Sequence, residues 1–133
     1  MSLIQPRNVI FDKKLFKSKL IELINQDVHL LLWEEKISYA RSVLVELDKE
    51  HAFEKSNKGE SWEDNELRLI LQTEPTAENI LRLAKAFKRG YGSIEQIYRW
   101  AAEDQKCIDQ KRPDDKFIKQ IKRIASEVGW RAT

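Results

Sequence analysis

Apolar residues recur at steps of three and four positions along most of the chain, which is the period of an amphipathic α-helix. In the N-terminal part, this period predicts one helix over residues 12–26 and a longer helix over residues 27–51. The longer helix carries an apolar stripe of Leu30, Trp33, Ile37, Ala40, Leu44 and Leu47. Because such a stripe needs a partner, we interpret residues 1–57 as an N-terminal helical hairpin that packs on itself or forms a homodimer through residues 27–51.

The apolar period stops at residues 54–60, which predict a linker. Beyond the linker, the period predicts three short helices, over residues 62–72, 77–88 and 93–104. Pro75 separates the first two helices, and Gly90 suits the left-handed position after the second. Residues 58–106 are therefore expected to form a three-helix segment around one small core.

Two capping boxes are predicted at the starts of these helices. Ser61 stands three residues before Asp64, and Ser93 stands three residues before Gln96. We expect each serine hydroxyl to accept a hydrogen bond from the first turn of its helix. The first and third helices are then expected to begin immediately after Ser61 and Ser93.

A last amphipathic helix is predicted over residues 114–128. Its basic side chains fall on one face, at Lys116, Lys119, Lys122 and Arg123. Residues 107–133 are interpreted as a C-terminal basic amphipathic helix that supports the three-helix segment. Four Gly and three Pro in 133 residues leave few turn positions. The predicted fold class is therefore all-α, and an all-β fold is excluded.

Composition narrows the class of protein further. No apolar run approaches the roughly 18 residues of a membrane-spanning helix, so no membrane partner is expected. The single Cys107 has no partner for an intrachain disulfide, and we expect an intracellular protein. His29 and His51 offer no zinc-ligand spacing. We therefore predict no metal and no cofactor.

Charge is distributed unevenly along the chain, although the net charge is only +2. Residues 58–81 carry two basic and six acidic side chains, whereas residues 82–133 carry thirteen basic and seven acidic ones. Residues 1–57 are balanced, with nine of each. The basic C-terminal half is compatible with a polyanionic partner, and a solvated helix surface is the alternative explanation.

Several residues in the three-helix segment form a recognisable pattern. Ser61-Trp62 opens the segment, Leu83-Ala84 lies in the second helix and Arg99-Trp100 ends the third, with Glu66, Arg89 and Gln96 between them. In these positions, residues 61–104 resemble a Myb/SANT-type helix-turn-helix repeat. The resemblance implies that Trp62 and Trp100 pack together in the core and that the third helix enters the DNA major groove. A helix bundle with another topology is the alternative.

The resemblance leads to a candidate site for double-stranded DNA. Gln96 and Arg99 have side chains that can read adenine and guanine edges. The remaining candidates would contact phosphates and the sugar backbone: Lys85, Lys88, Arg89, Tyr91, Ser93 and Lys106. Two of these residues also have a structural alternative, since Gln96 can cap the third helix and Arg99 can pair with Glu66.

Two functions follow from these patterns. The first is a small DNA-binding protein, with a role in transcription regulation, that places its third helix in the major groove. The alternative is a non-enzymatic protein–protein interaction or adaptor module, because Glu95, Glu103 and Asp104 would repel phosphates beside that helix. We predict no enzyme, since Cys107 has no neighbouring base in sequence and Gly90-Tyr91-Gly92 is not a phosphate-binding loop.

Overall fold

The computed structural model describes residues 11–131, and its regular secondary structure there is entirely helical. This confirms the all-α class. The helices are α1 (Lys13–Ile24), α2 (Trp33–Glu50), α3 (Asp64–Leu71), α4 (Ala77–Phe87), α5 (Tyr91–Ala102), α6 (Gln105–Lys111) and α7 (Lys116–Val128). They belong to two compact units, one ending at Leu44 and the other beginning at Val45.

Within the described residues of the first unit, the helices have no buried core. Asp12 caps α1 by accepting a hydrogen bond from the backbone N–H of Leu15 at 2.7 Å. Neither α1 nor α2 has a buried residue. The core of the predicted hairpin is therefore absent from the described residues. The sequence did not indicate this, because an apolar stripe has the same period whether its partner lies in the same chain or in another. Helix α2 also begins six residues later than predicted, after Leu30 adopts a positive φ of 64°.

The end of α2 belongs to the second unit, so the division differs from the predicted boundary at residues 54–60. Asp48 forms an ion pair with Lys85, with 2.6 Å between Oδ1 and Nζ. Asn57 of the predicted linker binds the C-terminal end of α4, donating from Nδ2 to the carbonyl of Phe87 at 3.0 Å. The end of α2 and the predicted linker therefore both contact α4 and belong to the second unit.

The core of the second unit is formed by α3, α4, α5 and α7. Its largest fully buried side chains come in pairs from three of these helices: Leu67 and Ile70 of α3, Ile94 and Ile97 of α5, and Ile121 and Ile124 of α7. Helix α7 is thus part of the core, and residues 107–133 are not a separate supporting segment. Helix α6, which has one buried residue, Ile108, was not predicted from the sequence.

The helix starts differ from the predicted capping boxes. Helix α3 begins at Asp64, where the Glu66 carboxylate accepts a hydrogen bond from the Glu63 N–H at 2.8 Å. Helix α5 begins at Tyr91 with Gly90 as its N-cap, so Ser93 lies inside the first turn. Both predicted serine caps are wrong, since Glu63 and Gly90 take those positions. Lys88 rather than Gly90 adopts the left-handed conformation after α4, with φ of 56°.

Candidate nucleic-acid interface

Helices α4 and α5 are joined by only three residues, 88–90. The turn is closed by the backbone N–H of Arg89, which donates to the carbonyl of Ala84 at 2.9 Å. Gly90 then has an extended conformation, with φ of −72° and ψ of 152°, and α5 starts at the next residue. Two helices joined by a turn of three or four residues are the basic unit of helix-turn-helix motifs.

One face of α5 is anchored in the core. Its buried residues are Ile94, Ile97, Tyr98 and Ala101. The Tyr98 hydroxyl donates to the carbonyl of Thr73 at 2.8 Å and also reaches the carbonyl of Ile70. Burial raises the pKa of Tyr98 to about 12, so the hydroxyl remains a donor at neutral pH. These contacts fix the rotation of α5 and hence the direction of its other face.

The opposite face of α5 presents Gln96 and Arg99 to solvent. They are three residues apart and therefore lie on the same side of the helix. Arg99 forms an ion pair with Glu95, with 2.6 Å between Nη2 and Oε1, and its side chain is 70% exposed. The alternative pairing of Arg99 with Glu66 is wrong, because Glu66 caps α3 instead.

The three lysines of the candidate site are exposed. Lys85 pairs with Asp48, and Lys88 lies 3.8 Å from a carboxylate oxygen of Glu54. Lys106 lies on α6 rather than at the end of α5. Ion pairs this exposed contribute about 0–1 kcal/mol, so they leave the lysines able to exchange a carboxylate for another anion.

Arg89 differs from these lysines because it is only 5% exposed. Its guanidinium donates to the carbonyls of Glu60 at 2.5 Å and Ser61 at 3.0 Å. The guanidinium carbon also lies 3.7 Å from the centroid of the Trp62 ring. The expectation that Arg89 is an exposed surface cation is therefore corrected, because its guanidinium is buried and binds the segment before α3.

The aromatic contacts differ from those that the resemblance implied. Trp62 packs edge-on against Phe87, with 5.6 Å between the ring centroids, and the aromatic pairs of the described residues do not include Trp62 with Trp100. Both indoles are half-buried against the core. Tyr91 is half-buried as well, with the Lys49 ammonium 4.1 Å from its ring centroid.

A cavity of about 420 Å³ lies beside the first turn of α5. Its lining includes Glu60, Trp62, Arg89, Ser93, Gln96 and Lys116. Three predicted site residues, Arg89, Ser93 and Gln96, thus meet at one place. Lys116 was predicted only as part of the basic face of the last helix, because its proximity to α5 depends on tertiary packing.

Most of the other basic residues of α7 hold the fold together. Arg123 forms an ion pair with Asp64 of α3 at 2.9 Å. A hydrogen bond from Gln120, together with Arg123, lowers the pKa of the Asp64 carboxyl below its usual value. Lys122 donates to the carbonyls of Ala101, at 3.1 Å, and Glu103. Two of the four residues of the predicted basic face, Arg123 and Lys122, therefore contact α3 and the end of α5.

Within residues 11–131, no helix combines the length and the apolar character needed to cross a membrane. The same part of the chain contains no group of three or more histidine, cysteine or acidic side chains arranged to hold a metal ion.

The fold and the site together define a small all-helical protein with a surface helix, α5, directly after a short turn. Residues 56–132 match the family described as "Uncharacterised protein PM1205 C-terminal domain", and the chain belongs to this family. The chain is similar to "Uncharacterized protein PM1205" of Pasteurella multocida (strain Pm70). The two are 42% identical over 117 residues, which cover 84% of this chain and 92% of that protein. No solved structure gives a significant match.

Proposed function

We propose that the protein binds double-stranded DNA and that α5 is the helix that enters the major groove. The observation that carries this proposal is the exposure of Gln96 and Arg99 on one face of the helix that follows the three-residue turn. The opposite face of α5 is buried, so binding would not require the core to open. DNA binding also agrees with the intracellular location expected from the sequence.

The exposed side chains have the chemistry for base contacts. Arg99 can donate two hydrogen bonds to guanine, and Gln96 can form a donor and acceptor pair with adenine. Arg99 would have to leave Glu95, but an ion pair exposed to this degree costs only about 0–1 kcal/mol to break. A good bidentate contact contributes about 1–3 kcal/mol of discrimination. Replacing the Arg99–Glu95 ion pair by a contact between Arg99 and guanine is therefore favourable when the correct base is present.

Backbone contacts are assigned to Lys85, Lys88 and Lys106, which are exposed, and to Tyr91 and Ser93 near the turn. The acidic residues Glu95 and Glu103 oppose binding. A small number of phosphate contacts is therefore expected, together with a moderate dependence of affinity on salt.

Fluorescence anisotropy with a labelled mixed-sequence duplex, at about 50 mM and about 200 mM salt, tests the proposal. The Lys85→Ala/Lys88→Ala variant should bind more weakly and show a smaller salt dependence. Lys13→Ala/Lys14→Ala removes the same charge from exposed positions of α1 and should bind like the parent protein. Absence of duplex binding at the lower salt concentration would refute DNA binding.

A protein-interaction or adaptor module is the second candidate function. It is favoured by exposed large apolar side chains of the first unit, among them Phe16, Leu23, Leu32, Trp33 and Leu44, which are 53–71% exposed. Large apolar side chains exposed to this degree favour an interaction with another protein. The partner is another protein or a second copy bound through residues 27–51.

Sedimentation velocity over a range of protein concentrations tests self-association. Leu44→Asn should reduce the dimer fraction, because Leu44 lies on the apolar stripe of α2. Leu69→Asn is the matched control, since Leu69 of α3 is 51% exposed and Leu44 is 57% exposed. A monomer at every concentration would contradict the homodimer.

A further inference from the structure

The charge of Arg89 is buried without a carboxylate partner. Arg89 is only 5% exposed, and the ion pairs found within residues 11–131 do not include it. Its Nε is buried and has no hydrogen-bond partner in the described structure. Two backbone carbonyls and the Trp62 ring stabilise the guanidinium, but they bring no negative charge. A buried charge without a counter-ion is costly, so this position favours an anion.

The cavity that Arg89 lines collects further hydrogen-bond donors. The Ser93 hydroxyl, the Gln96 amide and the Lys116 ammonium belong to the same lining. Ser93 lies in the first turn of α5, where there is no acidic residue and where Gly90 supplies no side-chain cap. The positive end of the helix dipole therefore adds to the attraction for an anion.

We propose that this cavity is a binding site for a phosphate group. An arginine, a lysine and neutral donors around one cavity match the several oxygens of a phosphate. The Glu60 carboxylate in the lining opposes this attraction, but Arg89 and Lys116 outweigh its single charge. The volume of about 420 Å³ also leaves room for the molecule that carries the phosphate.

The carrier is either the DNA backbone or a free phosphorylated small molecule. With DNA as the carrier, the inference rests on the proposed function, because Ser93 and Gln96 belong to both sites. With a small molecule, the inference is independent of DNA binding. The chemistry at Arg89 is the same in both cases.

The first arm of the test titrates the full chain with inorganic phosphate, with chloride at matched ionic strength as the reference, and follows amide and indole signals by NMR. Saturable shifts are expected at Ser93 and at the Trp62 indole. Lys116→Ala should weaken binding by about tenfold or more, because it removes a hydrogen bond from a charged donor. Lys119→Ala, an equal charge change on the same helix outside this cavity, should have no effect.

Ser93→Asp separates loss of the site from loss of the fold. A carboxylate in the first turn of α5 stabilises the helix dipole, so the melting temperature should rise. The same carboxylate would compete with phosphate for Arg89, so the phosphate-dependent shifts should disappear. Shifts that persist in Ser93→Asp would place the phosphate elsewhere and overturn the proposal.

The second arm repeats the anisotropy measurement on duplex DNA with the same three variants. Phosphate-dependent shifts that are lost in Ser93→Asp, with duplex binding unchanged, support a small phosphorylated ligand. If Ser93→Asp and Lys116→Ala weaken duplex binding and Lys119→Ala does not, the result supports a phosphate of the DNA backbone as the ligand. This conclusion holds even if free phosphate does not saturate the site. If neither ligand depends on Ser93 and Lys116, the proposal fails, whatever the outcome for Gln96 and Arg99.

Discussion

Replacing Ile121 with alanine tests whether α7 is part of the core. Ile121 is fully buried in the core cluster that α7 shares with α3, α4 and α5. Truncation of a buried isoleucine to alanine costs about 2–5 kcal/mol, because apolar contacts are lost and a cavity remains. A central value of about 3 kcal/mol is a large part of the roughly 5–15 kcal/mol that stabilises an ordinary domain.

Urea unfolding followed by circular dichroism measures this cost. With a slope of about 2 kcal/mol per M, a loss of about 3 kcal/mol lowers the midpoint by about 1.5 M. The matched control is Ile21→Ala in α1, because Ile21 is 47% exposed, and its effect should stay within about 0.5 kcal/mol. An equally small effect for Ile121→Ala would refute the assignment of α7 to the core.

Three further changes probe individual contacts of the second unit. Tyr98→Phe should lower the free energy of unfolding by about 1–3 kcal/mol in urea titrations, because the carbonyls of Ile70 and Thr73 lose the hydroxyl donor that they share. Asp64→Asn should lower the melting temperature at neutral pH but not in strong acid. The folded-state pKa of Asp64 lies below its usual value, so its stabilising contribution is present above that usual value and is lost as the pH falls through the folded-state pKa. Lys122→Met should increase amide hydrogen exchange at the end of α5, where Lys122 now binds two carbonyls; unchanged exchange there would contradict this role.

The apolar period predicted most of the helices because it reflects burial directly. Residues 62–72, 77–88 and 114–128 correspond to α3, α4 and α7, each with a buried stripe. Helix α6 escaped prediction because a seven-residue helix with one buried side chain has no readable period. The helix starts were misplaced because Glu63 and Gly90 compete with serine for the N-cap, and sequence alone does not decide between them.

The candidate site was predicted less completely than the fold. Exposure of Gln96 and Arg99 follows from the helical period around Ile94 and Ile97, and the structure agrees. The burial of Arg89 does not follow from any local pattern, because its partners are backbone carbonyls 28 and 29 residues away. The position of Lys116 at the same cavity likewise depends on how α7 packs.

Duplex affinity of the Arg99→Ala variant tests the central claim, that α5 reads DNA, most directly. The matched control is Arg82→Ala in α4. Arg82 is 71% exposed and pairs with Glu78 four residues earlier, as Arg99 is 70% exposed and pairs with Glu95. On a preferred duplex, we expect a loss of about 1–3 kcal/mol for Arg99→Ala, roughly 5- to 150-fold, with an unchanged melting temperature. Equal affinities for the two variants would contradict the placement of α5 in the major groove.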